Sequence, residues 1–318
     1  MTVQSRVSAF ETPVLVIGFN RPDKIVVLLE RLYALGVKNL FVSLDGPRNS
    51  LESLICEETL MQVKTFQGRF NLSIVWRDYN LGCNLGVVSA LDWFFHKNSS
   101  GIVLEDDCYP EEPMLHILKE KLNLIGSTER KIGMITAHNP FITWPSEVLS
   151  RYALIQGWAT TSEIWLQVRR DYFKVTFPQL SARKRLGRSL AESIFWWANS
   201  NRARLGGVDT WDGIFADRMW RLGYRTYVPQ QNLILNYGFD ERATHTKNPT
   251  GGIHIQVEEK EKVNFDELMK SRYFKIYPKH LWTAPLKVVL DAVKFNRRDY
   301  EAELKLDIGA RNAFQNSI

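Results

Sequence analysis

The sequence has few of the features that mark secreted, disulfide-bonded or membrane-spanning proteins. Its 318 residues include 3 cysteines, Cys56, Cys83 and Cys108, and no two have the CxxC spacing of a zinc ribbon or a redox motif. No window approaches the roughly 18 uninterrupted apolar residues that a membrane helix requires. The first 13 residues hold no apolar stretch of signal-peptide length. Together these absences predict a protein of the cytoplasm.

Two glycine-rich nucleotide-binding motifs are missing as well. The chain has neither the GxGxxG of dinucleotide-binding folds nor the GxxxxGK of P-loop proteins. Both motifs exist to bring backbone amides close to phosphate groups, so a protein that lacks them must hold any nucleotide in another way. Nicotinamide-dependent oxidoreductases and ordinary NTPases are therefore disfavoured.

Basic residues outnumber acidic ones, 41 to 35, which gives a formal charge of +6. This excess suits an anionic substrate, a phospholipid surface or nucleic acid without deciding between them. The basic stretch at 183–204 has no zinc-finger, RNP or helix-turn-helix signature beside it, so we expect a solvated helix face and no nucleic-acid partner. Peripheral association with the anionic inner face of a membrane stays open as an alternative.

Apolar runs typical of strands alternate with helical periodicity through the first half of the chain. The predicted strands are 13–18, 39–44, 72–76 and 101–104, and the predicted helices are 24–35, 51–66 and 87–95. The less regular second half has predicted strands at 131–137, 225–228 and 233–236 and predicted helices at 162–172 and 208–222. This alternation predicts an α/β fold with a mostly parallel, doubly wound sheet and helices on both faces.

Polar residues follow three of the predicted strands directly. Gly18-Phe19-Asn20-Arg21 comes after the first strand, Asp45-Gly46 after the second, and Glu105-Asp106-Asp107 after the fourth. Ligands of doubly wound sheets bind at the carboxyl ends of the strands, so we expect these segments to meet in one crevice. There Arg21 would contact a base or phosphate or solvate a helix start, while Asp45 would accept from a base imide or form a turn.

The three adjacent carboxylates repel one another, and either solvation or a bound cation relieves the repulsion. In an extended segment Glu105 and Asp107 lie on one side and Asp106 on the other. Carboxylate oxygens on one side can hold a hard divalent cation, and such a cation can bridge two phosphates. The alternative interpretation is an acidic, solvated strand end.

Four segments, VIGFNRP, VSLDG, NLGCNLG and VLEDD, occur in an order that resembles GT-A glycosyltransferases. Within that fold the chain is most similar to the β-1,2-N-acetylglucosaminyltransferase I group and its bacterial relatives, over roughly residues 13 to 246. The resemblance implies a GT-A (Rossmann-like) domain at 1–257. Its nucleotide-sugar-binding half would span 13–137, its acceptor and catalytic-base half 138–257, and a less regular C-terminal extension 258–318.

The resemblance also implies a role for each strand-end residue. Arg21 and Asp45 would contact uracil, Asp106 the ribose and Glu105 the donor sugar. No basic residue lies between Asn80 and Phe95, so contacts to the diphosphate must come partly from later residues. The implied donor-binding residues are Gly18, Asn20, Arg21, Asp45, Glu105, Asp106 and Arg242. The implied ligands of Mn²⁺ or Mg²⁺ are Asp107 and His245.

A Trp-Asp pair opens a helix in this group and its Asp is the base, a position that Asp212 matches. An inverting transferase needs one carboxylate to deprotonate the acceptor hydroxyl during attack. Asp209 is a second candidate for the base. Helix capping is the alternative role for both residues, since Asp and Thr favour helix starts.

These residues predict a metal-dependent inverting glycosyltransferase that uses a UDP-sugar, with GlcNAc the first guess, and a saccharide acceptor that is free or lipid-linked. One alternative is a sugar-phosphate nucleotidyltransferase, although the Gly-rich basic loop that such enzymes place after their first strand is missing here. A second alternative is a catalytically degenerate GT-A module that only binds glycans. The presence of Glu105, Asp107 and Asp212 together argues against decay of the site.

Overall fold

The computed structural model describes residues 9–126, 130–141, 144–177, 190–238, 264–266, 269 and 287–288. The elements of the first half are β1 (Val14–Gly18), α1 (Pro22–Ala34), β2 (Asn39–Leu44), α2 (Ser50–Lys64), β3 (Asn71–Trp76), α3 (Gly82–Lys97) and β4 (Ser100–Glu105). Those that follow are β5 (Cys108–Pro110), α4 (Met114–Leu122), β6 (Ile132–Thr136), β7 (Val148–Ser150), β8 (Trp158–Thr161), α5 (Ser162–Arg169), α6 (Leu190–Arg204), α7 (Asp212–Leu222), β9 (Arg225–Val228) and β10 (Ile234–Asn236).

Eight strands form one sheet in the order β3-β2-β1-β4-β8-β6-β9-β7. β1 pairs in parallel with both β2 and β4, β3 pairs in parallel with β2, and β9 pairs in parallel with β6. β8 lies antiparallel between β4 and β6, and β7 lies antiparallel beside β9. The predicted α/β fold with a mostly parallel sheet is therefore confirmed.

Helices cover both faces of this sheet, as the sequence predicts. Along β1, Val14 and Val16 pack with buried residues of α1, α2 and α4. Leu15 points to the opposite face and packs with buried residues of α3, α5 and α7. The alternation follows from the two-residue period of a strand. Because helices bury both faces of the sheet, the surface that is open to a ligand lies at the strand ends.

The first helix shows how local sequence fixes an element that borders this edge. Pro22 stands in the first turn of α1, where its missing N–H leaves no hydrogen bond unmade, and Asp23 follows it. Ile25, Leu28 and Leu29 are buried on one side of the helix. The helix thus starts after a three-residue connection from β1 and holds that connection at the sheet edge.

Some of the sequence predictions fall on parts of the chain outside the described residues. They include Arg242, His245, most of the C-terminal extension 258–318 and the start of the basic stretch at 183–204. The described residue Phe265 packs on Phe141 and Trp144, with ring centroids 5.1 and 5.0 Å away. The domain boundary at residue 257 stays a prediction. In the described part of the chain, no helix has the length and apolarity to cross a bilayer.

Candidate active site

A pocket of about 550 Å³ opens at the carboxyl ends of β1, β2 and β4, within the size range of small-molecule sites. It brings together residues that the sequence spreads over some two hundred positions. The predicted site residues that line it are Gly18, Asn20, Arg21, Asp45, Glu105, Asp106, Asp107 and Asp212. Arg242 and His245 lie outside the described residues. The segments that follow β1, β2 and β4 therefore meet in one crevice, as the sequence predicts.

The acidic run begins at the last residue of β4. The Asp106 amide donates to the Ile17 carbonyl at 2.9 Å, which keeps the run beside β1. One guanidinium nitrogen of Arg21, Nη1, lies 3.2 Å from Asp106 Oδ1 and 3.2 Å from Asp107 Oδ2. Arg21 is only 8% exposed, so its charge is weakly screened by water. It therefore neutralises part of the charge of both carboxylates.

Burial and mutual repulsion shift the acidic groups toward their protonated forms. Burial, followed by the charges of Asp107, Asp106 and Asp212, raises the pKa of Glu105 to about 8. A hydrogen bond from the Trp211 side chain partly offsets this rise. Burial and the Asp107 charge raise the pKa of Asp106 to about 6, and Arg21 opposes the rise. The carboxylates crowd one another enough for an added cation to be favourable.

Asp107 is held against the segment that follows β10. The Tyr237 amide donates to its carbonyl at 2.9 Å. A Cβ atom on Gly238 would lie 2.2 Å from Asp107 Oδ2, so only glycine lets the backbone pass this close. The Asp106 and Asp107 oxygens are the hard donors that Mg²⁺ and Mn²⁺ prefer. No group of three or more His, Cys, Asp or Glu converges on a metal position among the described residues.

A cation at this place would accordingly use one or two carboxylates. Mg²⁺ commonly binds in that way, with substrate phosphates and water completing its coordination. The donor set of Asp106 and Asp107 fits such a cation, provided that Arg21 yields part of its contact. The assignment of Asp107 as the ligand stays a prediction.

Asp45 uses its carboxylate to hold the turn in front of α3. It accepts hydrogen bonds from Asn80 Nδ2 at 2.9 Å, from the Leu81 amide at 3.0 Å and from the Gly82 amide at 3.1 Å. Burial raises its pKa to about 6, and hydrogen bonds from Leu81, Gly46 and Gly82 oppose the rise. Any contact between Asp45 and a base would have to share these oxygens.

Asp209 caps α3 from a distant part of the chain. Its two carboxylate oxygens accept from the Cys83 and Asn84 amides, each at 2.8 Å. Both oxygens are therefore engaged by main-chain donors, a geometry that does not suit the base. The capping that the sequence suggested for Asp209 is present, but on α3, where Asn84 lies 125 residues before Asp209. Nothing in the local sequence points to that helix.

Asp212 is the first residue of α7. The Thr210 hydroxyl donates a hydrogen bond to its Oδ1. Its neighbour Trp211 is buried and stacks on Trp158, with ring centroids 5.9 Å apart. Glu105 and Asp212 both line the pocket, and the Asp212 charge contributes to the raised pKa of Glu105. A hydroxyl group between them would have a proton acceptor at hand.

Arg77 is a lining residue that the sequence analysis missed. It is 6% exposed and donates to Ser43 Oγ at 3.1 Å, to the Leu44 carbonyl at 3.2 Å and to Ser89 Oγ at 2.7 Å. It directly follows β3, so the rule that drew attention to the other strand ends would have found it.

The described lining of the pocket is acidic although the whole chain is basic. Six carboxylates stand against three arginines, Arg21, Arg48 and Arg77, and Arg21 already contacts Asp106 and Asp107. The carboxylates are Asp45, Glu105, Asp106, Asp107, Asp209 and Asp212. A polyanionic ligand would be repelled here unless a cation entered with it.

Comparisons with known proteins bear on the fold alone. No protein-family model and no curated protein matches the chain. Among solved structures, a Bacillus anthracis protein assigned as a glucose-1-phosphate thymidylyltransferase, in complex with sucrose, is similar at a TM-score of 0.31. The identity is 9% over 59% of this chain and 83% of that chain.

Two further structures are similar at the same level. A mannose-1-phosphate geranyltransferase from Thermus thermophilus has a TM-score of 0.37, with 9% identity over 70% of this chain and 75% of that chain. A UDP-glucose pyrophosphorylase complexed with UDP-glucose has a TM-score of 0.35, with 10% identity over 69% of this chain and 90% of that chain. Likeness of this degree concerns the α/β architecture and carries no argument about activity.

Proposed function

We propose that the pocket binds a nucleoside diphosphate sugar together with a divalent cation, and that the protein is a transferase acting on this compound. The observation that carries the proposal is the meeting of Glu105-Asp106-Asp107 with Asp212 in one pocket at the carboxyl ends of parallel strands. Six carboxylates against three arginines favour a ligand that arrives with a cation. Mn²⁺ and Mg²⁺ are the candidates.

The first candidate reaction is inverting sugar transfer from a UDP-sugar, with GlcNAc the first guess, to a hydroxyl of a free or lipid-linked saccharide. The acceptor oxygen forms a bond to the anomeric carbon as the bond between that carbon and the diphosphate oxygen breaks. The nucleoside diphosphate leaves with the electron pair, and Asp212 takes the acceptor proton. The Thr210 hydroxyl holds Asp212 in place for this step.

The remaining residues bind and orient the donor. A bound cation would offset the charge of the leaving diphosphate, with Asp107 and Asp106 as its protein ligands. Arg21, which contacts both of these carboxylates, can turn its guanidinium toward a phosphate oxygen once a cation replaces it. Glu105 lines the same pocket as Asp212 and would orient the donor sugar.

The second candidate reaction is that of a sugar-phosphate nucleotidyltransferase. The structures found to be similar include a thymidylyltransferase and a UDP-glucose pyrophosphorylase, and their descriptions name this alternative rather than sugar transfer to a glycan. The missing Gly-rich basic loop after β1 argues against this alternative, whereas the cation-dependent pocket suits both reactions. A degenerate module that binds glycans without turnover is the non-enzymatic alternative.

The products of one incubation separate the candidates. The protein is incubated with UDP-GlcNAc and Mn²⁺, with and without pyrophosphate, and the products are identified by anion-exchange chromatography and mass spectrometry. Slow release of UDP and free sugar, independent of pyrophosphate, supports the glycosyltransferase. UTP and sugar 1-phosphate that form only with pyrophosphate support the nucleotidyltransferase. If neither set of products forms and UDP does not bind, both candidate reactions are contradicted.

Asp212→Asn tests the base. We expect turnover to fall at least 100-fold, because general base catalysis contributes about 10² to 10⁴. The dissociation constant for UDP, measured by calorimetry with Mn²⁺, should stay within about twofold, since the lost proton acceptor lies away from the nucleotide. Turnover of the variant at the wild-type rate would refute the assignment of Asp212.

A further inference from the structure

We propose that Asp209 is a positioning residue that fastens the loop carrying Trp211 and Asp212 to the first turn of α3. In doing so it sets where the Asp212 carboxylate stands in the pocket. The inference rests on the proposed function, because it assigns to Asp209 a part in placing the base. It gives Asp209 a role that neither a base nor a local helix cap would have.

The first turn of α3 depends on carboxylates from distant parts of the chain for its hydrogen bonds. The helix has no acidic residue in its first turn, and its N-cap residue, Leu81, offers no side-chain acceptor. Its first amides nevertheless have partners, because Leu81 and Gly82 donate to Asp45 while Cys83 and Asn84 donate to Asp209. Unmatched amides at a helix start attract a negative charge, and Asp209 is the charge that meets this one.

Gly82 shows how closely the two segments approach. Its φ is +78°, a conformation that glycine adopts readily, and a Cβ atom there would lie 2.6 Å from Asp209 Oδ2. Any side chain at this position would force Asp209 away from α3. The contact therefore depends on sequence at both ends, at Gly82 on one side and at Asp209 on the other.

The loop from α6 to α7 needs an anchor of this kind. It passes through Gly206 and Gly207, which restrict the backbone little. Asp212 follows Asp209 by three residues, and a span of that length reaches about 10 Å at most. Fixing Asp209 to α3 thus confines Asp212 to a small region of the pocket lining. The far side of the loop is held by the Tyr172 hydroxyl, which donates to the Trp211 carbonyl at 2.7 Å.

Removal of the anchor should affect turnover more than donor binding. A shift of about 1 Å in a catalytic group can cost about 100-fold in rate. The donor-side residues of β1 and β4 make no hydrogen bond with Asp209 in the described structure. We therefore expect kcat for the UDP-sugar to fall by about 30- to 100-fold in Asp209→Ala. The Kd for UDP with Mn²⁺ should stay within about threefold.

A matched control removes a helix cap away from the pocket. Thr161 accepts from the Ile164 amide at 3.4 Å and caps α5, and it pairs with Ser100 at the opposite end of β4 from the acidic run. Thr161→Ala should lower thermal stability, yet keep kcat within about twofold of wild type. Asp209→Asn retains one acceptor oxygen and should fall between Asp209→Ala and wild type.

Amide hydrogen exchange gives a readout independent of turnover. In Asp209→Ala we expect faster exchange both at Cys83 and Asn84 and in α7 at Phe215, whose amide donates to the Trp211 carbonyl at 3.0 Å. Thr161→Ala should change neither segment. Faster exchange in α3 alone, or a kcat within threefold of wild type, would overturn the proposal. A wild-type protein without UDP binding or turnover contradicts the proposed function instead, while the exchange comparison still decides whether Asp209 holds the loop.

Discussion

The aspartates of this pocket have different roles, and their hydrogen-bond and ion-pair partners distinguish these roles. Asp45 and Asp209 give their oxygens to amides at the start of α3. Asp106 and Asp107 share the guanidinium of Arg21. Sequence alone could bring all of these acids to one edge of the sheet, because that follows from strand order. It could not assign their oxygens, because hydrogen-bond partners depend on positions fixed only by the folded chain.

The pH dependence of stability tests the environment of Asp45. Burial raises its pKa from 3.8 to about 6. Between these values the folded protein keeps a proton that the unfolded chain has released, so the free energy of unfolding falls as the pH rises. Asp45→Asn removes this titration. We expect the free energy of unfolding of wild type relative to the variant to drop by about 2.4 kcal/mol from pH 4 to pH 7.

Urea unfolding at several pH values measures the difference. Because the other acidic groups of the pocket titrate in both proteins, their contributions largely cancel. Asp78→Asn, a change at an exposed carboxylate, controls for the altered net charge of the variant. The quantity to compare is the free energy of unfolding of wild type minus that of Asp45→Asn. If it stays level or increases with pH, the assigned environment of Asp45 is contradicted.

At the scale of the elements, hydrophobic periodicity and turn-forming residues predict most helices and strands of the first half of the chain. β2 has the predicted bounds, 39–44, because Asp45-Gly46 ends it. α3 starts at Gly82, five residues before the predicted 87, because its first turn depends on carboxylates 37 and 125 or more positions away. The antiparallel β8 was not predicted, since four residues between turns carry little periodicity.

The solvated helix face predicted for 183–204 is wrong for the buried side of α6, which includes the basic residue Arg204. That side also contains Glu192 and Asn201, so the polar residues of α6 do not mark the face toward solvent. Arg204 donates through Nη2 to Asp217 of α7 at 2.7 Å and through Nε to the Tyr172 carbonyl at 2.9 Å. The two helices are thus joined by a buried ion pair, and an apolar-face criterion cannot detect such packing.

The packing of α6 on α7 gives a prediction at this scale. Arg204 is fully buried, so Arg204→Met would leave Asp217 in the interior with Arg221 as its remaining ion-pair partner among the described residues. Loss of one member of a buried ion pair is expected to lower the free energy of unfolding by about 3 kcal/mol. Urea denaturation of the variant measures the loss.

The control applies the same substitution to an exposed ion pair. Arg69 lies 2.6 Å from Glu30 on the surface, where water screens both charges. Arg69→Met should lower the free energy of unfolding by about 1 kcal/mol or less. Equal destabilisation by the two substitutions would mean that burial of the α6–α7 ion pair does not govern its contribution.

At the scale of the whole molecule, charge is distributed unevenly. The chain carries a formal +6, yet the described lining of the pocket has twice as many carboxylates as arginines. The excess of basic residues therefore lies elsewhere than in this lining. A basic protein with an acidic pocket attracts anions in general while repelling them at the site itself, unless a cation mediates the contact.

This arrangement predicts strong mutual dependence of metal and nucleotide binding. Calorimetry with UDP in EDTA should show an affinity at least tenfold weaker than with Mn²⁺, because the acidic lining then faces the diphosphate directly. Reciprocity requires UDP to strengthen Mn²⁺ binding by the same factor. Asp107→Ala should abolish the coupling in both directions, whereas Asp78→Asn, outside the pocket, should preserve it. Equal UDP affinity in EDTA and in Mn²⁺ would mean that the arginines alone hold the diphosphate, and the metal-dependent reaction would have to be abandoned.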